Sequence, residues 1–245
     1  MIKKLALILL LLGLFGYFIA AVTVLNKPKE GLVCEGVEVV VEDSLRTGFI
    51  QARQVLQLLD GKKCNPTGKK MEQVELGRIE AALKKNPYIE DVTAYKTPGG
   101  KVCIHVRQRL PILHVMSSDG ADYYLDRAGK PMPPSSYYAN LVVATGHITP
   151  KYAQRNLTRL GRFIQDHEFW DGQVQQIHVL ENGEVELIPR VGEHVILLGQ
   201  PTNVEDKLDR LKTFYTEGLN KVGWNKYSQI SLEYDHQIIC KRKRK

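Results

Sequence analysis

Seven histidines and four cysteines are the side chains of this 245-residue chain best suited to holding a metal or attacking a substrate. His105, His114, His147, His167, His178, His194 and His236 are scattered, and no HExxH or Cys/His cluster joins them. Cys34, Cys64, Cys103 and Cys240 include no CxxC pair, so neither zinc-ribbon nor thioredoxin-like spacing is present. An exported chain could form disulfides from them, yet spacing selects no connectivity, and separate buried thiols fit equally. GxSxG elbows, phosphate loops and dinucleotide fingerprints are missing. Asp122 and Asp126 pair two carboxylates where a turn calls for aspartate. The expectation is no catalytic constellation, no cofactor and no metal: a protein that works through its surfaces rather than as an enzyme.

The elements that position those surfaces begin with a hydrophobic run. After a short N-terminus, residues 1–4 with Lys3 and Lys4, positions 5–25 are uncharged and almost wholly apolar. At about 1.5 Å per residue they reach about 31 Å, the thickness of a bilayer's hydrocarbon core. The run reads as a single transmembrane helix with the N-terminus cytoplasmic and the bulk exported, although Lys27 and Lys29 weaken the charge asymmetry. A cleaved secretory signal is the competing reading. The run is long for one, and Ile19-Ala20-Ala21-Val22 is a poor cleavage site. The net charge of +7 owes five of its positive charges to Lys241–Lys245, a terminal basic tail (241–245). Behind a membrane anchor such a tail does not indicate nucleic acid; it is solvated, or it meets anionic lipid or polymer.

Beyond a linker at 26–31, Val37, Val39 and Val41 share one face of a first strand. Ala52, Val55, Leu56 and Leu59 then keep helical spacing up to Gly61, and a lysine- and glycine-containing loop runs to Lys70. Leu76, Ile79, Ala82 and Leu83 mark a second helix that stops at Asn86-Pro87. Two strands follow, 89–95 and 101–107, joined through Pro98-Gly99-Gly100. In the second, Val102, Ile104 and Val106 should be buried and Cys103, His105 and Arg107 solvated. The order β-α-α-β-β makes a compact α+β module. Further on, a strand at 123–125 turns at 126–129, and 131–134 is an extended connection. A helix capped by Thr149-Pro150 carries the stripe Ala153, Leu157, Leu160 and Ile164. Residues 177–180 and 185–188 form a hairpin around Asn182-Gly183. A strand at 195–198 precedes a helix over 204–219 with Leu208, Leu211, Tyr215 and Leu219 on one side. The last strands are expected at 229–234 and 237–240.

The wording Ile79-Glu80-Ala81-Ala82-Leu83-Lys84-Lys85-Asn86-Pro87-Tyr88-Ile89, then Val106-Arg107-Gln108-Arg109-Leu110-Pro111-Ile112, resembles the POTRA module of the FtsQ/DivIB bacterial cell-division proteins. The likeness continues through Tyr123-Tyr124-Leu125-Asp126-Arg127-Ala128-Gly129 and Leu141-Val142-Val143-Ala144-Thr145-Gly146. It covers essentially the whole chain, and Asn86, Pro87, Arg109, Pro111, Tyr124, Asp126, Gly129 and Gly146 are its motif positions. The resemblance implies an α+β protein with a transmembrane helix (5–25), a POTRA domain (33–108) and a mixed α+β FtsQ-type β domain (109–240).

It also implies a non-enzymatic, single-pass type II protein of the cell inner membrane at the division septum. Such a protein would help control septal peptidoglycan synthesis and bind FtsB/FtsL-like partners and other divisome membrane proteins. The partner site carried over is the C-terminal strand edge: Ile230, Leu232, Glu233, Tyr234, His236, Gln237, Ile238, Ile239 and Cys240. A strand edge suits that role because its unpaired N–H and C=O groups can extend the sheet, though alternation assigns half of these side chains to a core. The alternative is a POTRA-containing component of an envelope transport or assembly system, which would ask for a large membrane barrel. The chain departs from the better-known members in its four-residue N-terminus and its five terminal basic residues.

Overall fold

The computed structural model describes residues 2–25, 31–42, 48–135 and 140–243. The linker residues 26–30, Thr47, and Arg244 and Lys245 of the basic tail lie outside the described residues. Ile2–Leu25 is a 24-residue helix, α1. On its described stretch Leu10, Leu14, Phe15 and Phe18 are all more than half exposed (63–65%), an apolar surface with no protein cover. Among the described residues no helix is long and apolar enough to cross a membrane. The side chains of 2–9 and 22–25, which flank that stretch, lie outside them.

The globular part divides into two units that are not contiguous in sequence. In the first, β1 (Gly36–Glu42), α2 (Ala52–Gly61), a 3-10 turn at Met71–Gln73, α3 (Leu76–Leu83), β2 (Ile89–Lys96) and β3 (Lys101–Gln108) follow the expected order. The strands pair as β1-β3-β2. The helices contribute Val55, Leu59, Ile79 and Leu83 to the core, and β3, the central strand, contributes Val102, Ile104 and Val106 at 0% exposure. Ala52, Leu56, Leu76 and Ala82 sit half-buried at the margins of the helical stripes. Cys103 is a correction to the alternation, since it is buried rather than solvated. A central strand has neighbours on both sides: Glu38 of β1 stands 3.9 Å from the Cys103 Sγ, and the Tyr95 Oη of β2 lies 3.4 Å from His105 Nε2. The four cysteines are free thiols.

The second unit holds the described residues of 48–51, 86–90 and 107–243. Its strands are β4 (Pro111–Ser117), β5 (Asp122–Asp126), β6 (Pro131–Met132), β7 (Val142–Gly146), β8 (Val174–Val179), β9 (Val185–Pro189), β10 (Val195–Gly199), β11 (Tyr227–Ser231) and β12 (Ile239–Arg242). Among the described residues they form one nine-stranded sheet, ordered β12-β11-β10-β9-β8-β7-β4-β5-β6. β4 and β7, which periodicity did not single out, lie inside it; both are short, and neither β4, buried at most positions, nor β7, with no exposed position, presents a solvent face in clean alternation.

Two parallel crossovers cover one face of this sheet. Between β7 and β8 run α4 (Pro150–Tyr152), a π turn at Ala153–Leu157, α5 (Thr158–Asp166) and α6 (Glu168–Gln173); between β10 and β11 run α7 (Val204–Thr213), a π turn at Phe214–Leu219 and α8 (Asn220–Val222). Thr149 caps the first crossover as its sequence suggests, accepting from the Tyr152 N–H at 3.2 Å. All eight expected stripe residues, Ala153 to Ile164 and Leu208 to Leu219, are buried in one core. The π turns explain how. Successive spacings of four, as in Leu211, Tyr215 and Leu219, drift about 40° per step around a helix of 3.6 residues per turn. A wider turn reverses that drift.

Gly146 shows how tight the sheet is. At φ +97, a Cβ there would stand 2.1 Å from the Val179 carbonyl oxygen of β8, so only glycine fits.

In the first unit, Leu83 is 1% exposed. Leu83→Asp should therefore lower stability by about 3 kcal/mol or more in denaturant unfolding, because it buries an unpaired carboxylate. Lys84→Asp loses the exposed pair with Asp91 (2.7 Å) and should stay within about 1 kcal/mol of wild type.

Candidate functional site

β12 closes one end of the nine-stranded sheet, so one side of its backbone ladder is open. On the other side it runs antiparallel to β11, with Ser231 opposite Ile239, Ile230 opposite Cys240 and Gln229 opposite Lys241. The strands fall differently from the expected 229–234 and 237–240. β11 ends at Ser231, and β12 starts at Ile239 and takes in Lys241 and Arg242 of the basic tail. The reason lies in α7. Arg210 donates from Nη1 to the carbonyls of Tyr234 (3.1 Å) and Gln237 (2.8 Å), which removes both from any ladder. Just before that clasp, the Leu232 N–H bonds the Leu197 carbonyl of β10 at 2.8 Å.

Lys207, one turn earlier on α7, is buried and spans the carbonyls of Leu198 (2.8 Å) and Gln200 (2.9 Å). Burial pushes its ammonium below the usual lysine range, while Asp235 and Glu233 pull the other way. Neither Lys207 nor Arg210 stands out in sequence, where both read as the polar side of an amphipathic helix.

The residues carried over as a partner site thus divide. Ile230 and Leu232 are 0% exposed and belong to the core beneath the helices. Ile238 and Cys240 are half-buried against that core, and burial raises the Cys240 thiol. Glu233, Tyr234, His236, Gln237 and Ile239 are exposed. Tyr234 (55%) and Ile239 (49%) are large apolar side chains open to solvent, and Ile239 shares β12 with Lys241 and Arg242.

The motif residues other than Gly146, which lies between Ser117 of β4 and Val179 of β8, gather elsewhere, around a buried ion pair. Arg109 donates to Asp126 Oδ2 from Nε (2.8 Å) and Nη2 (2.6 Å), with side chains 12% and 8% exposed. Its Nη1 reaches the carbonyls of Pro87 (2.8 Å) and Pro131 (3.4 Å). Asp126 Oδ1 accepts from the N–H groups of Ala128 (2.9 Å) and Lys130 (2.7 Å), closing the turn whose Gly129 has φ +73. Asn86 Oδ1 accepts from the Tyr88 N–H at 2.9 Å. Pro111 opens β4 opposite Asp126, and Tyr124, buried with Phe49 and Met132, stacks on His114 at 4.6 Å. Together these contacts tie the segment around Pro87 to the start of β4 and the turn after β5. Among the described residues no group of three or more His, Cys, Asp or Glu could hold a metal.

His194 is a further buried polar residue. It is 2% exposed, with Nε2 2.7 Å from the Tyr215 hydroxyl and its ring against Trp224, and its Nδ1 meets no partner among the described residues. Its neighbour Glu193 pairs with Lys243, which joins this centre to the end of β12.

Residues 110–241 match the family model described as FtsQ/DivIB, C-terminal related, and residues 32–107 match a POTRA-like domain. Together the folds define a mixed α+β protein of the scaffold class, whose domains are in general not catalytic. The first match spans more than half of the 245 residues, and the chain belongs to the FtsQ/DivIB family, the family of a cell-division role. No curated protein matches it.

Removing one member of the buried pair strands the other. Arg109→Met or Asp126→Leu should each cost about 3–5 kcal/mol in denaturant unfolding, and the double variant less than the sum of the two. The pH dependence follows from His194, whose imidazole is pushed down by burial and, further, by Lys243. The unfolded chain then takes up a proton before the folded one does, so this contribution is complete above about pH 6.5 and shrinks as pH falls below it. His194→Gln should flatten the fall in melting temperature below that pH; an unchanged slope would assign it to other groups.

Proposed function

We propose that the protein is a non-enzymatic divisome scaffold of the cell inner membrane. In this reading α1 is the anchor, its N-terminus cytoplasmic and the globular units outside. β12 receives a segment of an FtsB/FtsL-like partner by strand addition, and through that contact the protein helps control septal peptidoglycan synthesis. The observation that carries the reading is an open sheet edge with exposed Tyr234 and Ile239 beside it. Such an edge supplies main-chain affinity, and exposed aromatics supply anchors. The bare apolar sides of α1 support the anchor.

Successive residues in an antiparallel strand send their N–H groups alternately to either side. Of Cys240→Pro and Lys241→Pro, one therefore strikes the ladder to β11 and the other the open edge. The edge variant should keep wild-type stability yet fail to recover the partner by crosslinking in dividing cells, and Tyr234→Ala should weaken recovery about tenfold or more. Full recovery by both, in folded and membrane-bound protein, would refute strand addition.

A further inference from the structure

The first unit has a cleft between the loop that follows α2 and the start of α3. Its lining carries three cations, Lys63, Lys69 and Arg78, against one carboxylate, Glu75, with Cys64 and Ile79 at its floor. Among the described residues none of the three cationic side chains has an ion-pair or hydrogen-bond partner, and Lys62 and Lys70 beside them are likewise unpaired. Three cations against one carboxylate leave an excess of positive charge that an anion from outside the chain would offset.

A further observation points the same way. The Lys63 N–H bonds the Asp60 carbonyl (3.0 Å) and the Cys64 N–H bonds that of Leu59 (2.9 Å), the pattern of a Schellman helix end. That pattern places Lys63 at the left-handed position normally filled by glycine, and its φ is +53. A lysine there costs backbone strain that glycine would relieve. On the opposite wall Glu75, the N-cap residue of α3, makes no side-chain cap hydrogen bond, and its carboxylate is the one acid facing these cations.

The location narrows the ligand. The basic loop is tied to the chain just after the anchor: Val33 bridges Lys70, the Cys34 N–H bonds the Lys69 carbonyl (2.8 Å) and the Met71 N–H bonds the Leu32 carbonyl (2.7 Å). Leu32 is seven residues beyond the end of α1 at Leu25. That length of chain reaches at most about 25 Å.

We propose that this cleft binds the phosphate of an anionic lipid headgroup at the surface of the membrane that holds α1. The inference rests on the anchoring in the proposed function. Lys63, Lys69 and Arg78 would surround the phosphate, and Lys62 and Lys70 would face the neighbouring headgroups. The contact would seat the first unit on the bilayer.

The test uses the full chain in nanodiscs of phosphatidylcholine alone, of phosphatidylcholine with phosphatidylglycerol, and of phosphatidylcholine with added inorganic phosphate. Amide exchange over residues 62–78 should slow roughly threefold or more only with phosphatidylglycerol, and the effect should fade with added salt. The triple variant Lys63→Glu, Lys69→Glu, Arg78→Glu should abolish it. Lys63→Gly should be at least as stable as wild type, since strain is relieved, yet lose part of the protection. Equal exchange in all three conditions, with the chain still in the nanodisc fraction, would overturn the lipid site and leave the anchor standing. Protection by inorganic phosphate alone would overturn the lipid assignment. A chain that leaves the nanodisc fraction would overturn the anchor, and the lipid site with it.

Discussion

The second unit depends on the Arg109–Asp126 pair. Three donating atoms of one guanidinium and both oxygens of one carboxylate hold four pieces of backbone: the approach to β4, the turn after β5, the start of β6 and the segment around Pro87. A buried pair of this kind adds little net stability over a well-packed apolar substitute. What it contributes is geometry, because the planar guanidinium fork and the carboxylate satisfy their partners in one arrangement. With β4 and β5 fixed in that way, β7 can lie parallel to β4 and the rest of the sheet can be laid down beside it.

From that junction the sheet grows to the opposite end, where control passes from a buried ion pair to helix-borne cations. Lys207 and Arg210 take up four carbonyls near the ends of β10 and β11. Arg210, by taking the Tyr234 and Gln237 carbonyls, holds the stretch after β11 out of the ladder and so helps set where the edge strand begins. The edge is cationic at Lys241 and Arg242 and apolar at Ile239. Charges on an edge strand discourage indiscriminate pairing, while the neighbouring exposed Tyr234 leaves a contact for a selected partner. The same helices that complete the core therefore also define the surface proposed to bind.

Much of the architecture was legible in the amino-acid sequence because it rests on periodicity and local chemistry. The stripes Ala153 to Ile164 and Leu208 to Leu219, the Thr149 cap, the Asn182-Gly183 hairpin and the β-α-α-β-β order all follow from side-chain spacing and turn residues within a few positions of one another. The motif positions Arg109 and Asp126 were also visible, but not that they form a pair. Seventeen residues separate them, and nothing local links the two.

What tertiary structure alone decided is the fate of groups whose partners are distant in sequence. Cys103 alternates as a solvated residue, yet lies under side chains from both neighbouring strands. Ile230 and Leu232 were carried over as part of the partner edge while alternation put half of that stretch in a core, and the fold buries both; two residues of a basic tail became strand. Lys207 and Arg210 looked like solvent-facing helix positions until the ends of β10 and β11 were brought to them. Spacing along one element reports which side of it is apolar. Which carbonyl a lysine reaches, and which strand is left at the edge, depends on elements that meet only in the folded chain.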